Sequence, residues 1–399
     1  MRLLGADDLA GSGECGEGVS LQVLPGGRRI LYVAHVQAPK DFSVVDVTDP
    51  SRPHLLHQRD LPHSRMRSNS LTVYEDVLLV TRQAHEHGLT PAGLEVFDVS
   101  DPEAPRSIGM FDASGEGSPG THTVWFVDGR YAHLSSGARD SAPTHPKDDL
   151  SYVILDMADP ARPTEIGRWS FPGTQAGDGH PPPPRILRPY EYGYKVHDAH
   201  VYPRRPDRAY IGHIDGGVVV LDISDMRHPH RIAYVQYHPP FCGSSHTVLP
   251  LFDRDLLVVA DESSQERAID WPTPVWVMDM REERNPVIIS TCPMPPVEDF
   301  AERGGRYGGH QIWDNVPLPV AWSSERFVIG AFYNGGIRVF DLKDPYRPQE
   351  AAHYVPPTPA RSTKGATQMT DVYVDERGLV YAIDRGGGGL YILEMDLGA

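Results

Sequence analysis

The usual shortcuts to a function are missing from this chain. It has no run of 18 apolar residues, and its start, MRLLGADDLAG, holds no apolar core long enough for a secretion signal. A soluble, cytoplasmic protein with no membrane partner is therefore expected. Cysteine is scarce: Cys15, Cys242 and Cys292 are odd in number and spaced for neither a disulfide framework nor a thiolate metal site. Only five of the 37 basic residues are lysine, and the net charge of −17 argues against nucleic acid as a partner. P-loop, dinucleotide fingerprint, HExxH and nucleophile-elbow motifs are all absent. The GGGG at 386–389 has no strand–helix context and reads as a tight turn. No long stretch repeats its apolar residues with the 3.6 period of a helix.

What the chain does have is a repeat. Seven times a short apolar stretch ends in an acid, usually followed by a turn with Asp-Pro or a nearby Pro: SVVDVTDP, LEVFDVSDP, YVILDMADP, VVVLDISD, VWVMDM, IRVFDLKDP and a worn LYILEMD. The anchor acids are Asp46, Asp98, Asp156, Asp222, Asp279, Asp341 and Glu394. Each copy holds four β-type runs. In the third they are His122–Val127, Tyr131–Ser135, Tyr152–Met157 and Thr164–Ser170, broken by Asp128-Gly129, a Gly/Ser/Pro-rich stretch and Asp159-Pro160. Seven four-stranded units predict an all-β, seven-bladed β-propeller of antiparallel strands, one domain over 1–399. A solenoid expects a shorter period. The anchor acids read as scaffold, their carboxylates accepting backbone N–H groups of the following turn. The last copy stops before its fourth strand, so the segment Met1–Leu9 is expected to supply it and close the ring.

The repeat resembles the LVIVD-repeat family over nearly the whole chain. That resemblance implies the propeller fold and no particular activity, because such repeats occur in proteins of several roles.

In a propeller the innermost strand of each blade starts at one mouth of the central channel. Aligning these strands on their trailing turns gives one leading residue per blade: Ser20, Asn69, His122, His197, His246, His310 and Thr370. Four consecutive blades thus present His at one structural position, and imidazole is the commonest metal ligand at neutral pH. The structural alternative is a ring bonded to a neighbouring blade, as LVIVD-type repeats often carry His-Asp here. Blade four offers both His197 and His200, which point to opposite faces of the strand. Alignment with the Thr-Asp of blade seven favours His197. The arrangement is similar to the carotenoid cleavage oxygenases, which hold iron with four His from four blades, and to selenium-binding-type methanethiol oxidases with a His-lined site. Both are analogies of fold and do not transfer chemistry.

The loops leading into the inner strands concentrate Arg65, Arg67, Arg185, Arg188, Lys195, Arg303, Arg306, Arg361 and Lys364, with Tyr190, Tyr192, Tyr194, Phe241 and Tyr307. They predict a cationic, aromatic mouth for a small anionic or aromatic substrate, unless these Arg pair with loop acids. Tyr194, Lys195 and Arg306 lie nearest the ligand histidines in sequence and are the candidate catalytic groups. Glu262 is the candidate carboxylate for a ligand imidazole's second N–H, whereas Asp215 and Asp384 read at least as well as turn caps. Cys242 reads better as a buried small side chain than as a ligand. Four imidazoles suit Fe(II) best, with Cu, Mn or Zn as alternatives, and favour an oxygenase or oxidase. A metal-containing lyase on an acidic sugar and a non-catalytic ligand- or protein-binding propeller remain the alternatives. Neither substrate nor oligomeric state is readable.

Overall fold

Alternating apolar strands and Gly/Pro/Asp turns fold here into consecutive antiparallel meanders. The structure, a computed structural model, describes residues 1–185, 191–238 and 240–397. Among them are seven sheets arranged as the blades of a propeller. The third blade is typical, with Thr121–Trp125 innermost, then Tyr131–Ser136, Ser151–Asp156 and Thr164–Trp169. These bounds lie within two residues of the strands read from the sequence. Helix is confined to one α turn, Glu298–Ala301, and two 3₁₀ turns. No described helix is long and apolar enough to cross a membrane.

The seventh blade is closed as expected. Met369–Val374, Leu379–Asp384 and Gly389–Glu394 are its own strands, and Arg2–Asp7 adds the fourth. The closing register runs from Arg2 opposite Glu394 to Asp7 opposite Leu390. Arg2 also places its guanidinium 2.7 Å from the Glu394 carboxylate. This explains why the seventh anchor alone is Glu. No turn follows it, and the longer side chain serves a strand partner instead.

The other six anchors do what a turn-capping acid should. The N–H two residues on donates to each: Thr48 to Asp46 (2.9 Å), Ser100 to Asp98 (3.0 Å), Ala158 to Asp156 (2.8 Å), Ser224 to Asp222 (2.9 Å), Arg281 to Asp279 (2.9 Å) and Lys343 to Asp341 (2.8 Å). An arginine completes each carboxylate, as Arg326 does for Asp341 at 2.6 Å. The second acid of the motif repeats the device, with Ala161 N–H donating to Asp159. Two successive Asx turns, found in blades one to four and six, are thus the physical content of the D-x-x-D-P spelling.

Two inner strands depart from the plan. In blade two, Met66–Arg67 and Leu71–Tyr74 are separated by a bulge at Ser68, Asn69 and Ser70. In blade six the inner segment joins its sheet through the Ile312–Gly330 bridge and the Trp313-to-Ile329 bond (2.7 Å), so that sheet has three regular strands. Both leading residues nevertheless reach the axis.

Deleting residues 1–8 exposes the edge of Gly389–Glu394. The truncated chain should melt about 10 °C or more below the full chain and self-associate, as read by thermal unfolding and light scattering. A second expectation concerns pH. The Ser100 backbone N–H, then its hydroxyl, then Arg106 pull the Asp98 carboxyl down to about 2. A depressed carboxyl stabilises the fold above its unfolded value near 4 and loses that contribution as pH falls through about 2. Wild type should therefore exceed Asp98→Asn in urea midpoint at pH 6, with the difference gone by pH 2.

Candidate functional site at the axial ring

The strand register gives the ring its members. In blades three and five the ladder skips the leading residue, pairing Thr121 and Thr123 across His122, and Ser245 and Thr247 across His246. Each skip is a bulge, and the bulged side chain turns toward the axis. The same position holds His197, His310, Thr370 and Asn69 in their blades, as read from the sequence.

Blade one differs. Its bulge lies between Cys15 and Val19, and the residue on the axis is Glu17, not Ser20. The expected alignment failed because the first hairpin turn, Leu24–Arg28, is longer than the Asp-Gly type used for counting. A usable signal was present: Glu17 precedes Val19 by two, as His122 precedes Val124, His246 Val248 and Thr370 Val372. Gly16 and Gly18 flank Glu17 because a Cβ on either would lie 2.4 Å from Asn69 O or 2.3 Å from Leu71 N.

Around this ring the donors converge. Glu17 Oε2 lies 3.5 Å from His197 Nε2, 3.7 Å from His122 Nε2 and 4.0 Å from His246 Nε2, and Oε1 lies 3.4 Å from His310 Nε2. His122 Nε2 and His197 Nε2 are 2.9 Å apart. Glu17, His197 and His246 form a group whose ligand atoms all lie within 4.8 Å of one another. Asn69 Nδ2 donates to Glu17 at 2.7 Å, and Arg385 makes a close ion pair with it. All four imidazoles are buried.

The other ring nitrogens settle the tautomers. His310 Nδ1 faces the Thr370 carbonyl at 2.6 Å and must donate to it. His122 Nδ1 lies 2.8 Å from Gln83 Oε1, which also accepts from Arg67 Nε at 2.8 Å. His197 Nδ1 lies 3.2 Å from Asp198 Oδ1. His246 Nδ1 meets Thr247 Oγ1 at 2.8 Å, and that hydroxyl passes its proton to Asp198 or Gln311 at 2.8 or 2.9 Å. With every Nδ1 facing an acceptor, each neutral ring turns an Nε2 lone pair toward Glu17. The neighbour-blade bond weighed as the structural alternative is real for His122 and His310, and it is made by the nitrogen that faces away from the centre.

Electrostatics follow from this crowding. Burial, then His197 and His310, push the His246 imidazole down to about 3, and burial with His197 holds His122 well below its usual range. Burial would do the same to His197, but Asp198, joined by Glu17 and Glu262, outweighs it and raises that ring. One proton between His122 and His197 relieves that close pair. It leaves His246 Nε2 and His310 Nε2 buried with no hydrogen-bond partner among the described residues.

The remaining expected site residues divide. Arg306 reaches the ring's edge: its NH1 donates to Glu262 Oε1 (2.9 Å) and to the Tyr333 hydroxyl (3.1 Å), which itself donates to Glu262 (3.1 Å). Glu262 Oε1 lies 3.9 Å from His310 Nε2, on the Nε2 side, so the acceptors for the imidazole N–H groups are other atoms. Tyr333, whose ring centroid is 4.8 Å from that of His310, was missed because it sits in the turn after a second strand. Lys195 lies 3.9 Å from Asp149, near enough to His122 for its charge to be felt there. Tyr194 is a packing residue: its hydroxyl donates to Pro184 O (3.0 Å) and its ring packs on Phe171. The Tyr close to a ring histidine in sequence is thus turned into the interblade core. His200 belongs to the channel below the ring, over Trp125 and 3.7 Å from Asp314. Asp215 and Asp384 cap turns, accepting from Gly193 N–H and Gln368 N–H among others. Cys242, expected as a buried small side chain, is only half-buried. Arg188 and Tyr190 lie outside the described residues.

Fold and site together define an all-β, seven-bladed propeller with a polar histidine ring at one mouth of its axis. The family model of the LVIVD repeat matches residues 31–59 and 207–235, in blades one and four, so the chain carries LVIVD repeats. No curated protein matches it. Among solved structures it is similar to the β-propeller domain of Cps50 (Swd1) from Myceliophteria thermophila, at 12% identity and a TM-score of 0.55. That match covers 96% of this chain and 98% of the other, and at such identity it shows the fold alone.

Nitrogen NMR of metal-free protein should find His246 and His310 as the Nδ1–H tautomer, the reverse of the form favoured by free histidine in water. An Nε2–H form at either ring would contradict the hydrogen-bond assignment.

Proposed function

We propose that the ring holds a divalent transition-metal ion through the Nε2 atoms of His122, His197, His246 and His310 and the carboxylate of Glu17, and that the protein is a metal-dependent enzyme. The observation that carries this reading is the direction of the lone pairs. Each of the four Nε2 atoms lies 3.4–4.0 Å from the Glu17 carboxylate, and those of His122 and His197 are 2.9 Å apart, with every Nδ1 engaged elsewhere. Such a cluster repels itself unless a cation lies inside it. Donors about 2.1 Å from one metal lie about 3.0 Å apart at right angles and about 4.2 Å apart when opposite; the Nε2-to-Glu17 distances fall in that range, and Glu17, His197 and His246 form the compact core of the set. An imidazole-rich set with one carboxylate suits iron, copper or zinc better than magnesium or calcium.

The oxygenase or oxidase reading, with iron, is the favoured chemistry. Bound there, the metal would supply the means to activate dioxygen against a small organic substrate. The chain's own groups do the rest. Gln83, Asp198, Thr247 and the Thr370 carbonyl hold the four rings in orientation, and Asn69 and Arg385 hold Glu17. At the edge of the ring Glu262 and Tyr333 fix Arg306, the only one of the expected catalytic groups whose guanidinium is both beside His310's neighbours and open toward the mouth. The lyase alternative is separated by metal identity, since iron or copper points to redox chemistry and manganese or zinc to lyase or hydrolase chemistry.

Native purification without a tag should yield close to one equivalent of a transition metal, and less than about 0.2 equivalents would defeat the proposal. His246→Ala and Glu17→Ala should lower metal content while circular dichroism keeps the β-sheet signature. If His246→Ala retains its metal and loses its fold, the histidines are structural.

A further inference from the structure

The metal proposal leaves the charge at the mouth unexplained. Of the cations expected to line it, most are satisfied within the protein: Arg185 by Asp148 and Glu191, Arg65 by Glu86, Lys364 by Glu266, and Arg361 by the Gly11 carbonyl. Arg67 and Arg306 behave differently, and so does Arg385, a further cation that only the structure brings to the ring. Arg67 makes no ion pair among the described residues; its Nε donates to Gln83 and its NH2 stands 3.5 Å from His122 Nδ1. Arg306 uses only NH1, on Glu262, Tyr333 and Ser263 O. Arg385 spends NH2 on Glu17, and its Nε is buried without a partner. A guanidinium carries five N–H donors, so each of the three holds several in reserve.

These groups feel one another. Burial pulls the Arg67 guanidinium down to about 10, with Arg385 and Arg306 pushing the same way against Glu17 and Glu262. Three guanidiniums against two carboxylates leave one positive charge on this face before any metal is counted. A protein of net charge −17 thus carries a local excess of positive charge at this mouth.

Resting on the metal-enzyme reading, we infer that the open face of the ring is a receptor for the carboxylate of a small organic acid, with Arg67 as the principal clamp and Arg306 and Arg385 beside it. A carboxylate monoanion matches the excess charge and the fork geometry of guanidinium. A phosphate dianion fits less well, because Glu17 and Glu262 share the same space and repel the second charge. Arg67 also links binding to the ring, since the Gln83 oxygen that accepts from it accepts from His122 as well.

The test uses the full chain in metal-stripped and zinc-loaded forms, with calorimetric titration of benzoate, its neutral isostere benzamide, and inorganic phosphate. Benzoate should bind both forms, at least about tenfold tighter than benzamide and tighter than phosphate. Arg67→Leu should lose about tenfold or more in benzoate affinity, and Arg67→Lys should recover part of it, both with wild-type zinc stoichiometry. Should Arg67→Leu fail to fold, a loss of about threefold or more in folded Arg67→Lys is the expected result. Equal binding of benzamide, tighter binding of phosphate, or unchanged affinity in the folded Arg67 variants would overturn the inference. Zinc stoichiometry near zero with benzoate binding intact would overturn the metal proposal and leave the carboxylate receptor standing.

Discussion

Closure of the ring is the constraint on which the rest of the structure depends. Seven sheets can point their leading residues at one axis only if the first and last are held together, and here Arg2–Asp7 pairs along Gly389–Glu394. The N-terminal strand and the last repeat share one blade, so Gly389–Glu394 is paired on both sides and the outer edge is Arg2–Asp7, as in a four-stranded blade. The Asx turns after the third strands of blades one to six keep those blades alike by giving each connection to the outer strand the same cap. Repetition is therefore the condition for a site that no single repeat contains.

The site arises where repetition lapses. Blades three, five and seven place their leading side chain by the same one-residue bulge, and around the ring the residue type at the leading position changes from Asn to His to Thr. Blade one inserts a wider bulge between two glycines and delivers Glu17 to the centre of the histidines. Without that carboxylate the ring would be four neutral imidazoles. With it, the ring holds a buried carboxylate that Arg385 pairs and Asn69 hydrogen-bonds. The orientation of the rings is shared out locally: His197 and His246 use their own strand neighbours, and His122 and His310 use adjacent blades.

Particular residues show how far sequence reasoning reached. The anchor acids were legible down to their hydrogen bonds, because an Asx turn is local and its spelling is short. His122, His197, His246 and His310 were legible as one set, because equal positions in equal repeats occupy equivalent places. Glu17 was lost when turn length was assumed constant, although its spacing to Val19 carried the right register. Tyr194 failed for a different reason: adjacency to a histidine in sequence does not say which way a loop side chain turns, and an interblade apolar cluster took it. Arg385 and Tyr333 went unnoticed because both come from turns after second strands, which reach the mouth only once the blades are assembled.

By itself the sequence determined the number of blades, the closing strand, the turn chemistry and the four-histidine set. All of these follow from short-range patterns that repeat. Tertiary structure alone decided which mouth cations remain unpaired, which nitrogen of each imidazole faces the centre, and that a carboxylate stands among them. Those facts depend on distances between blades far apart in the chain, where partners compete for the same few ångströms and no local pattern records the outcome.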